Sequence, residues 1–166
     1  MNNLALNRTL REQARNLGLC DQWYKDWGML ESRQQLIEKY IRGIDFCIKH
    51  DYPSLDFARE NFPLHLRLSN GIFIDDNVDA SNLKIAVLLG KSEGDLRYDG
   101  LRSCNVYVRH NSKVNIEAKD GAKVFVETYE DCQVETHTDS ISKIFVYRHG
   151  GTCTGNAIIK ERVAVK

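Results

Sequence analysis

Residues 103–152 read SCNVYVRHNS KVNIEAKDGA KVFVETYEDC QVETHTDSIS KIFVYRHGGT when cut into tens, and this stretch decides the fold. The second position of each unit is Cys104, Val114, Val124, Val134 and Ile144, and the fourth is Val106, Ile116, Val126, Thr136 and Val146. The tenth is always small: Ser112, Ala122, Cys132, Ser142 and Thr152. Positions three and five mix polar and aromatic side chains. This is strand alternation, with positions two and four turned to one face, followed by turn-prone residues at positions seven to nine. Self-similarity at a fixed spacing marks a repeat architecture.

Two architectures satisfy the pattern. One is an antiparallel meander with a hairpin at every turn. The other is a short β-solenoid in which two units make one coil of about 20 residues. The turns lack a consistent Asn-Gly or Asp-Gly pair at hairpin position, although Asp120-Gly121 is one candidate. The small tenth residue suits a tight coil corner. Phe125 matches Phe145 at twice the unit length, and Tyr107 matches Tyr147 two such coils apart. The solenoid is therefore the expectation. It places Phe125 over Phe145 as an outward aromatic ladder and Asn115 with Glu135 on the opposite face.

Working outward, the chain before the repeat changes character. A helix is expected over residues 10–17, closed by Gly18. Asp21 caps a segment carrying Trp23 and Trp27. The clearest helix spans 31–50, where Ile37, Tyr40, Ile41, Ile44, Cys47 and Ile48 form one apolar stripe. Gly43 costs that helix about 1 kcal/mol relative to alanine and marks close packing against a neighbour. Pro53 ends the pattern, Ser54 caps a short helix through Phe57 and Phe62, and Pro63 stops it. Asn70-Gly71 is a turn, 72–74 a strand, 75–82 a polar loop, 84–89 a strand and 90–94 a turn. The tail, 158–165, finishes the array or pairs with a second chain. The expected class is α+β: a helical N-terminal lobe or cap over 1–63, then a β-repeat region over 64–166 packed with it as one unit.

Composition narrows the function. Among 166 residues the apolar fraction is 42% and the charged fraction 28%, enough for a globular core. Lys+Arg and Asp+Glu are both 23, and a neutral chain lacks the basic excess that phosphate neutralisation rewards, so nucleic acid is disfavoured as a partner. A basic stripe from Arg97, Arg102, Arg109 and Lys113 would be needed for it. No apolar run approaches the ~20 residues of a membrane span, and residues 1–9 have no apolar leader core, so the expected location is cytoplasmic. The 5 cysteines are odd in number and match no zinc or redox spacing, which implies free thiols.

No catalytic residue, metal ligand set or cofactor motif emerges. His110, His137, His149, Cys132 and Cys153 lack ligand spacing on a strand or helix. Asp75, Asp76 and Asp79 resemble fragments of a calcium loop without its glycine or closing glutamate. Phosphate-loop and nucleophile-elbow patterns are missing. Glu117 and Glu135 can share a face with His137 nearby, which is the basis of a carbohydrate-binding or carbohydrate-processing alternative. The stronger candidates are partner-binding surfaces: Trp23 and Trp27, one helical turn apart with Leu19 before them, and the aromatic set Tyr107, Phe125, Phe145 and Tyr147.

Four stretches carry a resemblance: LREQARNLGLCDQW (10–23), YIRGIDFCIKHDYPS (40–54), GIFIDD (71–76) and VYVRH (106–110). Together they resemble an uncharacterised family from gut Bacteroidetes genomes, whose members lie in prophage or other mobile-element regions and carry C-terminal β repeats. The resemblance implies no activity and assigns no functional residue. It implies an accessory or structural role, and the expected function is a non-enzymatic protein-interaction or structural module that binds a protein partner or another copy of itself.

Overall fold

The structure is a computed structural model that describes residues 2–164. The chain divides into two compact units, Met1–Asn70 and Gly71–Lys166. The division falls later than the 63/64 boundary read from the sequence, because Pro63 does not end the helical region. It opens a further short helix instead: proline lacks only an N–H that a helix start leaves unused.

The first unit holds α1 (Asn3–Asn16), α2 (Asp21–Lys25), α3 (Arg33–Arg42), α4 (Ile44–His50), α5 (Leu55–Asn61) and α6 (Leu64–Ser69). α1 starts well before residue 10, capped by Asn2, whose side chain accepts from the Ala5 N–H at 2.9 Å. It buries Leu6, Leu10 and Ala14, with Asn7 between them. Asn7 is buried but satisfied: it accepts from Trp27 Nε1 at 3.0 Å and donates to the carbonyls of Asn3 and Glu31. The expected helix over 31–50 is two helices. Ser32 and Gln35 form a reciprocal capping box at the start of α3, and Gly43 breaks the run with φ −101° and ψ 26°. The Trp23 ring lies 3.5 Å from where a Gly43 Cβ would stand, an ordinary van der Waals contact.

The second unit is a β-solenoid. Its strands are β1 (Ile72–Ile74), β2 (Asn77–Ser81), β3 (Ile85–Leu89), β4 (Glu93–Tyr98), β5 (Ser103–Val108), β6 (Lys113–Ala118), β7 (Lys123–Thr128), β8 (Gln133–Thr138), β9 (Lys143–Arg148), β10 (Thr152–Gly155) and β11 (Ile158–Glu161). Alternate strands join alternate sheets. Sheet A runs β1-β3-β5-β7-β9-β11 and sheet B runs β10-β8-β6-β4-β2. Every pairing is parallel, and partners such as Phe125 and Phe145 are one ~20-residue coil apart. The meander is thereby excluded, since it would pair neighbours in sequence antiparallel.

The segment 75–82, read as a polar loop, contains strand β2. Only Val78 and Ala80 face the interior there, so the alternation is too short to stand out against its Asp and Asn residues. The three aspartates of that segment serve the fold. Asp75 accepts from the Lys91 N–H and Asp76 from the Ile74 N–H, both at 2.8 Å, while Asp79 pairs with Arg97.

Positions two, four and six point inward. Val106, Ile116, Val126 and Val146 are fully buried, along with Val108, Ala118 and Thr128 from the sixth column. The corners recur every ten residues from Gly90 onward. Left-handed backbone appears at His110 (φ 61°), Asp120 (φ 55°) and Glu130 (φ 56°). The small tenth residues Ser112, Ala122, Cys132 and Ser142 are buried just inside these corners. Side chains of one coil then satisfy corner N–H groups of the coil before it. His110 Nδ1 accepts from Gly90, Glu130 from His110, Asp139 from Asp120 and Ser142 from Gly121.

Candidate functional site

Parallel in-register pairing turns every repeat position into a column of side chains, and the columns facing outward are the solenoid's surfaces. On sheet A the third-position column is Ile85, Asn105, Phe125, Phe145 and Ile158. The fifth-position column is Val87, Tyr107, Glu127, Tyr147 and Lys160. The first-position column contributes Ser103, Lys123 and Lys143.

The aromatic ladder is present. Phe125 and Phe145 stack with centroids 5.3 Å apart, and both rings are half-buried. Tyr147 stands in the adjacent column, half-buried, but Tyr107 does not touch it. Glu127 occupies the strand between them, and Tyr107 is buried. The tyrosines match in sequence because they are two coils apart, and pairing in a solenoid reaches only one coil.

Cations surround the Phe125–Phe145 strip. Lys160 Nζ lies 5.5 Å from the ring centroids of both Phe145 and Tyr147, and the Arg162 guanidinium lies 4.9 Å from that of Tyr147. Lys123 and Lys143 are exposed beside the phenylalanines. Among the described residues, none of these four cations is ion-paired. Of the nearby carboxylates, Glu127 accepts from the uncharged Tyr129 hydroxyl at 2.6 Å, and Glu161 pairs with Arg148. Ile158, 42% exposed, extends the apolar strip by one more strand. The sequence reading missed Ile158 and the four cations. A lysine recurring at position one was the available signal, and it was masked by the ordinary expectation that strand lysines face water.

The outer face of sheet B is polar. Its columns run Asn77, Glu93, Lys113, Gln133, Thr152; then Asp79, Asp95, Asn115, Glu135, Thr154; then Ser81, Arg97, Glu117, His137. A shallow trough of about 610 Å³ follows the first two columns. Glu117, Glu135 and His137 do share this face. His137 Nε2 sits 3.0 Å from Glu135 Oε1, while Glu117 engages Lys119 at 2.6 Å and raises the pKa of its ammonium by that hydrogen bond. No Phe, Tyr or Trp side chain stands in these columns. The carboxylates and the aromatic platforms that a carbohydrate groove would combine therefore lie on different sheets.

The basic stripe is not assembled either. Arg97 pairs with Asp79 and Asp95, Arg102 with Asp99, and Arg109 is buried against Glu130 at 2.9 Å. His149 stacks on Tyr129 with centroids 4.5 Å apart. Trp23 and Trp27 belong to the helical unit, where Trp27 is buried and Trp23 half-buried. Among the described residues no helix is long and apolar enough to cross a membrane. No protein-family model, curated protein or solved structure matches the chain at a significant level.

Proposed function

We propose that this chain is a non-enzymatic interaction module, in which the solenoid serves as a rigid platform and sheet A binds a protein partner across the Phe125–Phe145 strip. The supporting observation is that strip itself: two stacked rings and Ile158 left accessible, bordered by Lys123, Lys143, Lys160 and Arg162, none of which is ion-paired among the described residues. Aromatic side chains give contact area at low entropic cost, and a border of unpaired cations selects an acidic partner and discourages a basic one. The same border argues for a different protein over a second copy, since face-to-face association would set lysine against lysine. An accessory role within a mobile element is part of the proposal and rests on the family resemblance alone.

The test is a peptide-display selection on the intact protein, counter-selected on a Phe125→Ser/Phe145→Ser double variant. Peptides that keep binding only the native protein should combine Asp or Glu with large apolar residues, and their binding should weaken with salt. A selection in which no peptide distinguishes the two proteins would overturn the assignment. Light scattering on the eluted protein decides the self-association version: a concentration-dependent dimer lost in the double variant would replace the acidic partner with a second copy.

A further inference from the structure

The helical unit contains a cavity that the interaction surface does not use. It has a volume of about 340 Å³ and is lined from α1, α2, α3, α4, the connections between them, and the segments that follow α4 and α5. It is partly open to solvent, and its volume falls in the range of small-molecule sites, roughly 300–1,000 Å³. Its walls are mainly apolar, with Trp23, Trp27, Phe46 and Tyr40 contributing rings. Cys47 lies in the wall too, and burial pushes its thiol up to about 12.

Three charged side chains line the cavity, and only one has charge to spare. Lys39 is buried and neutralised, its Nζ 3.1 Å from Glu31 Oε1. Asp45 has an interaction of its own. Arg42 is exposed, its guanidinium 5.4 Å from the Trp23 ring centroid, and among the described residues no carboxylate pairs with it. The cavity thus offers a set of apolar walls and one uncompensated cation capable of bidentate pairing with a carboxylate.

We infer that this cavity binds an amphipathic carboxylate, with the aliphatic body held against Trp23, Trp27 and Phe46 and the carboxylate paired with Arg42. Gly43 controls the space. It has ordinary negative φ, and a side chain there would grow toward the Trp23 ring, 3.5 Å from the Cβ position. The site shares no residue with the sheet A surface and can be tested alone.

The chain's 2 tryptophans both line the cavity, so intrinsic emission on the full-length protein reports directly on it. The probes are decanoate, kept below its micellar concentration, and the neutral decanamide. Decanoate should shift the emission saturably. Arg42→Gln should weaken decanoate about tenfold while leaving decanamide unchanged, and Gly43→Leu should abolish both responses. An unsaturable response, a Gly43→Leu protein that titrates like the native one, or equal affinity for the two probes would each overturn the inference. Arg42 is exposed, so its variant keeps the charge comparison decisive if Gly43→Leu fails to give a native helical spectrum.

Discussion

The Phe145 ring lies 11° from parallel with that of Phe125 and 5.3 Å from it, one coil further along the same column of sheet A. Parallel strands run about 4.8 Å apart, so equivalent side chains with similar rotamers arrive at stacking distance without further arrangement. The contact is thus a direct product of the repeat.

A double-mutant cycle with Phe125→Ala and Phe145→Ala should return a coupling of about 0.5–1.5 kcal/mol in urea unfolding, the range measured for aromatic pairs beyond area burial. Each single variant should stay folded, because both rings are half-exposed and no interior column is touched. A coupling of zero would show that the rings are neighbours without interacting.

Two buried hydroxyls should respond in opposite ways to removal. Thr136 interrupts an otherwise aliphatic fourth column, and its Oγ1 donates to the Thr154 carbonyl at 3.0 Å and accepts from the Ala157 N–H at 3.1 Å. Thr136→Val strands both groups and should cost about 1–3 kcal/mol despite the more apolar side chain. The Tyr98 hydroxyl is buried with no hydrogen-bond partner among the described residues. Tyr98→Phe should therefore leave stability equal or raise it by up to about 1 kcal/mol. Paired denaturation curves check both signs.

Asp139 should give the solenoid an acid-sensitive component. The Asp120 N–H foremost, then the Ser142 hydroxyl and the N–H groups of Ser142 and Ile141, hold its carboxyl down to about 2 from the usual 3.8. A depressed folded value means the stabilisation is complete above the unfolded value and disappears as pH falls through the folded one. Thermal midpoints of the native protein should drop on going from about pH 5 to about pH 2. Asp139→Asn should be less stable at neutral pH and show a smaller drop across that window.

Thiol reactivity should follow burial. Cys20 is exposed, whereas Cys47, Cys104 and Cys132 are buried, and burial pushes the Cys132 thiol up to about 11. The thiolate is the reactive species. Iodoacetamide at mildly alkaline pH should label Cys20 first and leave those three unmodified until the chain unfolds, as read by peptide mass spectrometry. Rapid modification of Cys132 in the native protein would contradict the corner packing.

Much of the fold was legible because the solenoid is nearly one-dimensional. Positions two and four face inward in every unit, and the small tenth residue is buried at four of its five corners, Thr152 of the last unit being exposed. Thr136 fits its column because its hydroxyl is satisfied locally. Strand β2 was hidden because two inward residues do not make a visible period. The helix break at Gly43 was hidden because the apolar stripe continues through both α3 and α4. The site was less legible. Phe125 and Phe145 were found through their spacing, whereas of the cations around them Lys123 and Lys143 recur at position one and Lys160 and Arg162 come from the tail beyond the last unit.

What the sequence determined by itself was the ten-residue period and the inward columns, with pairing into coils as the favoured of two architectures and the Phe125–Phe145 ladder as its consequence. All of these follow from local alternation and from contacts between residues one coil apart. Only the tertiary structure decided that Tyr107 is buried while Tyr147 is accessible, that Glu117 and Glu135 lie on the sheet without aromatic platforms, and that Trp23 and Trp27 border a cavity. Periodicity assigns a residue to a face, but exposure and charge balance depend on neighbours distant in the chain.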